Sequence, residues 1–264
     1  MFKRLLIALL VLFPTQSWAE DATARSTARV QIEIGIEVAS IYNNRGLNAF
    51  AAGQQRDQHM MLAPSIAFAF AGFTVQYWSA YQWLGENQAD LVAEGVGHEQ
   101  QINLSYAFEL TERWGLALGL STIFYPFAGE QSAGTSVPVC LEPYVTVNRS
   151  GWADLSLTVL YSGGVQKALA EGRYTYINPT LEKKVPLNGS IELALGLGVG
   201  VKIYDQFAAN KENVVDVAMG ISLPIALGKA TLSPGVNWAW TNLKQKNAAE
   251  EQMLWGSLAI TLGI

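Results

Sequence analysis

From residue 29 onward, apolar side chains fall on every second position. In VQIEIGIEVA, Val30, Ile32, Ile34, Ile36 and Val38 alternate with Gln31, Glu33, Gly35, Glu37 and Ala39. In IELALGLGVGVKI, the aliphatics from Ile191 to Ile203 oppose Glu192, Ala194, Gly196, Gly198, Gly200 and Lys202. A helix of 3.6 residues per turn would wrap such aliphatics around its whole circumference, whereas a strand sorts them onto one side. The period predicts twelve strands, near 29–41, 58–70, 73–83, 98–109, 114–125, 137–149, 152–162, 171–183, 189–203, 213–225, 229–241 and 253–264. The segment at 171–183 alternates least well, because its first half reads GRYTYI. The last, MLWGSLAITLGI, puts Leu258, Ile260, Leu262 and Ile264 on one face and Ser257, Ala259, Thr261 and Gly263 on the other.

The connections alternate in length as regularly. Five are tight, at 71–72, 111–113, 149–151, 185–188 and 227–228, and six longer, more polar ones fall between them. Phe68, Phe70, Phe73, Phe108, Trp114 and Trp152 cluster at the tight-turn ends of the strands. Tyr42, Tyr81, Trp83, Phe124, Tyr125, Tyr161, Tyr204, Trp238, Trp240 and Trp255 cluster at the long-loop ends. Two aromatic belts around an aliphatic band are what a bilayer with two interfaces selects. In hydrocarbon every backbone N–H and C=O must be bonded within the protein, so a sheet spans only by closing on itself. The expected fold is all-β: a transmembrane antiparallel β-barrel of about 12 strands, with short periplasmic turns and longer extracellular loops. Residues 253–264 would pair with residues 29–41 to close it. The rival arrangement is a soluble β-sandwich with the aliphatic faces turned inward.

The first residues set the compartment. MFKR is basic, LLIALLVLF is apolar, and PTQSWA ends with small residues at Ser17 and Ala19. Residues 1–19 read as a signal peptide, leaving 20–264 as one exported barrel domain. The apolar run falls well short of the ~20 residues that a spanning helix needs. Losing Lys3 and Arg4 takes the formal net charge from −5 to −7, which disfavours nucleic acid as a partner. Cys140 is the single cysteine, so no internal disulfide forms.

With the aliphatics facing lipid, the opposite set lines the interior. Its charged members are Glu33, Glu37, Glu99, Glu142, Asp154, Glu192, Lys202 and Asp216, with many Gly, Ala and Ser between them. These are the expected pore-lining residues. Carboxylates outnumber cations among them, so the lumen is expected to favour cations or neutral solutes over anions, unless loop arginines neutralise it. The expected function is an outer-membrane channel for small hydrophilic solutes, with a loop able to fold inward as the main complication. The partners are then outer-membrane lipids, the solutes, and the barrel-assembly machinery acting on the C-terminal strand.

Enzymatic signals are sparse. His59 and His98 lie near the long-loop rim, and Ser65, Ser79 and Ser105 lie on or near their strands, but no Gly-x-Ser-x-Gly elbow occurs. Adjacent strand residues point to opposite faces, so His98–Glu99 is no metal motif. GLGVGV lacks the following helix that a phosphate cradle needs. No catalytic residue, metal or cofactor is expected; a lipid-modifying enzyme and a non-conducting structural barrel are the competing readings.

YNNRGLN (Tyr42, Arg45, Gly46) and HEQQINLSYAFELTERWGLALGLSTIFYP (Glu99, Tyr106, Trp114, Tyr125, Pro126) resemble the TorF-type family of bacterial outer-membrane porins. That resemblance covers about the first half of the exported chain, and it implies an exported pore-forming barrel. It makes Arg45 a candidate constriction residue, the alternative being a loop-anchoring ion pair. Most assembly-signal strands end on an aromatic residue, and Ile264 departs from that. The segmentation at the N-terminus predicts that the exported protein begins at Glu20, which N-terminal sequencing of the purified outer-membrane fraction reads directly.

Overall fold

The structure is a computed structural model that describes residues 30–41, 43–45, 47–48, 60–82, 98–124, 139–164, 173–205, 213–242 and 252–264. The signal segment, Tyr42, Gly46, His59, Trp83, Tyr125 and Pro126 lie outside them. The barrel strands are β1 (Gln31–Ala39), β4 (Met61–Phe70), β5 (Phe73–Gln82), β6 (His98–Glu109), β7 (Trp114–Phe124), β8 (Val139–Arg149), β9 (Asp154–Gly164), β10 (Tyr174–Pro186), β11 (Glu192–Tyr204), β12 (Val214–Ser222), β14 (Ala230–Thr241) and β15 (Gln252–Gly263). Between β1 and β4 a miniature hairpin is formed by β2 (Asn43–Asn44) and β3 (Leu47–Asn48), and β13 (Ile225–Leu227) continues β12.

Every barrel strand pairs antiparallel with its neighbours, and pairing of β1 with β15 and of β12 with β14 closes the ring. Ile34 stands opposite both Leu262 and Ile66, and Ile66 opposite Tyr77. Carried around all twelve strands, these registers return to β1 about 16 residues from the start, a stagger that tilts the strands by about 45°. The last residue is used in closure: the Ile264 amide donates to the Ile32 carbonyl at 2.9 Å and the Ile32 amide to the Ile264 carbonyl at 3.3 Å.

The aliphatic faces point outward. Ile34, Ile36, Val75, Leu104, Leu118, Val145, Leu157, Ile221, Leu258 and Ile260 are all exposed around the ring, while Ala67, Ala117, Ala194 and Ala259 are buried inside it. β15 alternates without a break from Gln252 to Leu262, exposed then buried. The sandwich arrangement is thereby excluded. At the tight-turn ends Phe73, Tyr106 and Phe108 stack edge to tilted face, with centroids 4.4 and 4.5 Å apart. Farther around the same end, the Lys183 ammonium donates to the Trp152 carbonyl and lies 4.8 Å from that ring. A cation drawn back onto an interfacial indole fixes the depth of a strand in a bilayer.

Turn chemistry explains the tight connections. Phe70 pairs with Phe73 across a two-residue turn whose Ala71 and Gly72 both have positive φ, 50° and 88°, as a right-twisted hairpin requires. The Thr111 hydroxyl accepts from the amides of Arg113 and Trp114, and the Asn188 carboxamide oxygen accepts from those of Ser190 and Ile191. Side-chain acceptors of this kind satisfy turn amides that no strand reaches.

Three departures from the sequence expectation have local causes. The strand expected at 213–225 is broken at Leu223–Pro224 into β12 and β13, since proline has no amide to donate. Pro64, Pro143 and Pro179 sit inside strands, and the pairing lapses beside each on one flank. Trp255 and Tyr204, expected in the outer aromatic belt, sit on the inward face: Trp255 is only 9% exposed between the exposed Leu254 and Gly256, and the Tyr204 ring meets inward Tyr174 at 5.8 Å. Ile260 lies in the middle of the lipid-facing band, so Ile260→Arg is expected to cost about 2–4 kcal/mol of unfolding free energy in lipid vesicles, measured by denaturant titration.

Candidate functional site in the lumen

The inward face of the long-loop half is built from two contrasting walls. On β15, β14, β1, β4 and β5 it is mainly apolar: Ala39, Met61, Ala63, Trp78, Ala80, Ala239, Met253 and Trp255 form one packed cluster. On β6 and β8–β12 it is polar and charged, carrying Glu99, Gln101, Glu142, Ser162, Tyr176, Asn178, Lys202 and Asp216, all buried. The aliphatic-out rule does not predict the first wall, because those strands are apolar on both faces there.

Arg45 crosses from one side to the other. Asn43 pairs with Asn48 and Asn44 with Leu47, so Arg45 opens the two-residue turn at the tip of the β2–β3 hairpin, with φ 52°. A non-glycine residue in that left-handed region is strained by about 1–2 kcal/mol. The hairpin emerges from β1, yet its guanidinium reaches β8, nearly the opposite side of the ring. Arg45 Nη1 donates to Glu142 Oε1 at 2.8 Å and Nη2 donates to Oε2 at 2.5 Å. Arg45 Nη1 also donates to the Tyr174 hydroxyl, and the guanidinium carbon lies 5.7 Å from the Tyr174 ring and 5.4 Å from the Tyr176 ring. The two-point geometry with a carboxylate and the two aromatic faces are the interactions a planar cation prefers.

Neighbouring groups extend this cluster. The Tyr176 hydroxyl donates to Asp216, at 3.0 and 3.2 Å from its two oxygens, and accepts from Asn178 Nδ2 at 3.0 Å. The Lys202 ammonium lies 5.6 Å from the Tyr174 ring, and Gln101 donates to Glu99. Space for the rings is made by glycine across the strand: a Cβ on Gly200 would collide with the Tyr176 hydroxyl and Asp216, and one on Gly119 with the Tyr144 ring. Deeper down, hydroxyl and amide pairs tie adjacent strands: Thr146 with Thr158 at 2.8 Å, Ser156 with Thr180 at 2.6 Å, and Asn103 donating to Gln76 at 3.1 Å.

Of the eight charged residues expected on the inward face, seven fall into two groups along the barrel and Glu37 stands apart. Glu142, bonded to Arg45, lies near the long loops with Lys202 and Asp216 close to it, and Glu99 accepts from Gln101 at the same end. Glu33, Asp154 and Glu192 lie toward the tight turns, where Asp154 stands opposite Glu182 and Glu192 opposite Pro186. Glu37 pairs in register with Ala63 and Ala259, at the edge of the apolar wall. Sequence reasoning missed Tyr174, Tyr176, Asn178, Glu182 and Lys184, all inward on β10; Lys184 pairs with Glu182 at 3.5 Å. The signal was present, since Tyr174, Tyr176, Asn178, Thr180, Glu182 and Lys184 share one parity, but inward tyrosines hide it. Cys140 is a free thiol close to the Glu142 carboxylate. Of the serines weighed for catalysis, Ser105 hydrogen-bonds Tyr144, and Ser65 lies against Gly35. His59 lies outside the described residues, and no group of three metal-ligating side chains is assembled among them.

No family model matches the chain, and no curated protein does. Among solved structures, the chain is similar to the COG4313 outer membrane channel from Pseudomonas putida F1, with TM-score 0.55 and 9% identity over 94% of this chain and 100% of that one. It is similar also to the KdgM porin solved in complex with disordered oligogalacturonate, at TM-score 0.52 and 10% identity over 88% and 98% of the two chains. The NanC porin follows at TM-score 0.50 and 10% identity, over 89% and 99%. The fold is therefore that of the twelve-stranded outer-membrane barrels to which these porins and channels belong.

The Arg45–Glu142 pair joins a loop to the far wall, so the two side chains should be energetically coupled. A double-mutant cycle of Arg45→Ala and Glu142→Ala, followed by unfolding in vesicles, is expected to give a coupling of about 1–3 kcal/mol. Losses that simply add would show that the pair does not form in the membrane.

Proposed function

We propose that the chain is an outer-membrane channel through which small hydrophilic solutes diffuse passively, with a mild preference for cations and neutral solutes. The observation that carries this reading is the inverted barrel itself, aliphatic outside and charged inside. A protein that only needed to fill a barrel would not line it with carboxylates, whose burial is costly without water or a partner. Among the described inward residues, Glu33, Glu37, Glu99, Glu142, Asp154, Glu182, Glu192 and Asp216 outweigh Arg45, Lys184 and Lys202. A low-dielectric wall focuses that acidic excess on a passing ion. Oligogalacturonate, the ligand of the KdgM porin, is a chain of carboxylates, and the same excess argues against carrying that solute over.

In this reading Glu33, Glu37, Glu99, Glu142, Asp154, Glu192, Lys202 and Asp216 line the pore, and Arg45 narrows it at the long-loop end. The protein resides in the outer membrane after removal of its signal peptide, in contact with lipid and inserted through recognition of β15 by the assembly machinery. The TorF-type resemblance points the same way. A second reading, a non-conducting barrel, is favoured by one observation: the Arg45 bridge spans the lumen.

Planar-bilayer recording separates the two. The wild-type protein is expected to give discrete conductance steps and a cation-selective reversal potential in a potassium chloride gradient. Arg45→Ala should raise the conductance and shift the reversal potential further toward cations, because it widens the path and removes a positive charge. Silence from both proteins would end the channel reading, and an anion-selective reversal potential would end the charge preference.

A further inference from the structure

We propose that the wall pocket filled by Arg45 is a binding site for solutes bearing a guanidinium group, and that Arg45 is a tethered stand-in for them. The pocket has the complement such a cation needs. Glu142 offers both carboxylate oxygens to the two terminal nitrogens, Tyr174 adds a hydroxyl acceptor, and the Tyr174 and Tyr176 rings supply two π faces.

Two features mark the occupant, rather than the pocket, as the removable part. The receiving residues sit on β8 and β10, strands hydrogen-bonded to neighbours on both sides. Arg45 sits on a hairpin whose two strands pair only with each other, and it holds a left-handed backbone conformation to reach across. Release would relieve that strain and leave the pocket walls in place.

The fit of the tethered cation is also incomplete. Arg45 Nε is buried with no hydrogen-bond partner among the described residues. A free guanidinium brings the same five donors and, not constrained by a turn, can orient all of them toward acceptors or water. Without Arg45, Lys202 is the one cation among the described residues facing Glu142 and Asp216, so the vacated pocket is net negative and repels carboxylates. The inference deepens the channel reading by naming a solute class, and it rests on that reading only for how the solute arrives.

Binding is tested in detergent, without a membrane gradient, on the full exported chain and on Arg45→Ala and Arg45→Gln, each verified as folded by its heat-dependent gel migration. Calorimetry would use L-arginine as the probe, L-citrulline as its uncharged isostere, and L-glutamate as the anion. Removing an intramolecular competitor is expected to tighten L-arginine binding by about tenfold or more in both variants, with L-citrulline not binding. Adding Glu142→Gln to either variant should abolish the gain. The proposal is overturned if neither variant binds L-arginine more tightly than wild type, or if L-citrulline binds as well. It is equally overturned if L-glutamate binds wild type and is lost with Arg45, which would make Arg45 itself the receptor. A barrel that binds L-arginine but never conducts would sink the channel reading and leave this site standing.

Discussion

The structure depends on one constraint: a backbone amide or carbonyl in hydrocarbon has nowhere to turn but to another strand. Every other feature follows from the closure that this enforces. β15 pairs with β1 through to Ile264, and β12 pairs with β14, so no edge faces lipid. Once the ring is closed, each strand has one face toward the acyl chains and one toward the lumen, and the period-2 alternation of the sequence becomes an inside–outside code. The aliphatic band therefore needs no packing partner in the protein. Leu258 and Ile260 are as exposed as surface residues of a soluble protein are expected to be polar.

Closure also creates the interior problem that the functional site solves. The charged groups placed there are partly shielded from bulk water, so they are organised in pairs and ladders: Arg45 with Glu142, Tyr176 with Asp216, Lys184 with Glu182. The pair with the longest reach uses a loop residue because no strand residue could span the ring. Glycines at 119 and 200 play the complementary role, yielding side-chain volume so that an inward tyrosine can lie against the wall.

Much of this was legible before any coordinates. Strand number and closure partners follow from the alternation, because a one-residue shift of a strand would turn its whole aliphatic set from lipid to lumen. Two kinds of information were not legible. Where both faces of a strand are apolar, as at Met61, Trp78, Met253 and Trp255, parity still assigns the face but hydrophobicity cannot say which is lipid. On β10 the reverse occurs: inward Tyr174 and Tyr176 look like membrane-facing aromatics until the register places them opposite Tyr204 and Lys202. The role of Arg45 was legible only as a resemblance, since which residues a loop reaches is decided by tertiary contacts and not by local periodicity.

The division of the lumen into an apolar and a polar wall has a consequence for the channel proposed above. Hydrated ions avoid surfaces that offer them no hydrogen bonds, and such surfaces tend to shed water. Traffic past the Trp78–Trp255 side of such a channel would be disfavoured for anything wearing a hydration shell, and the usable cross-section would be a crescent along β6 and β8 to β12. A molecule with one greasy flank and one polar flank could use the whole bore, turning to present each flank to the matching wall. Sieving in this barrel would then depend on how polarity is distributed over a molecule as much as on its girth.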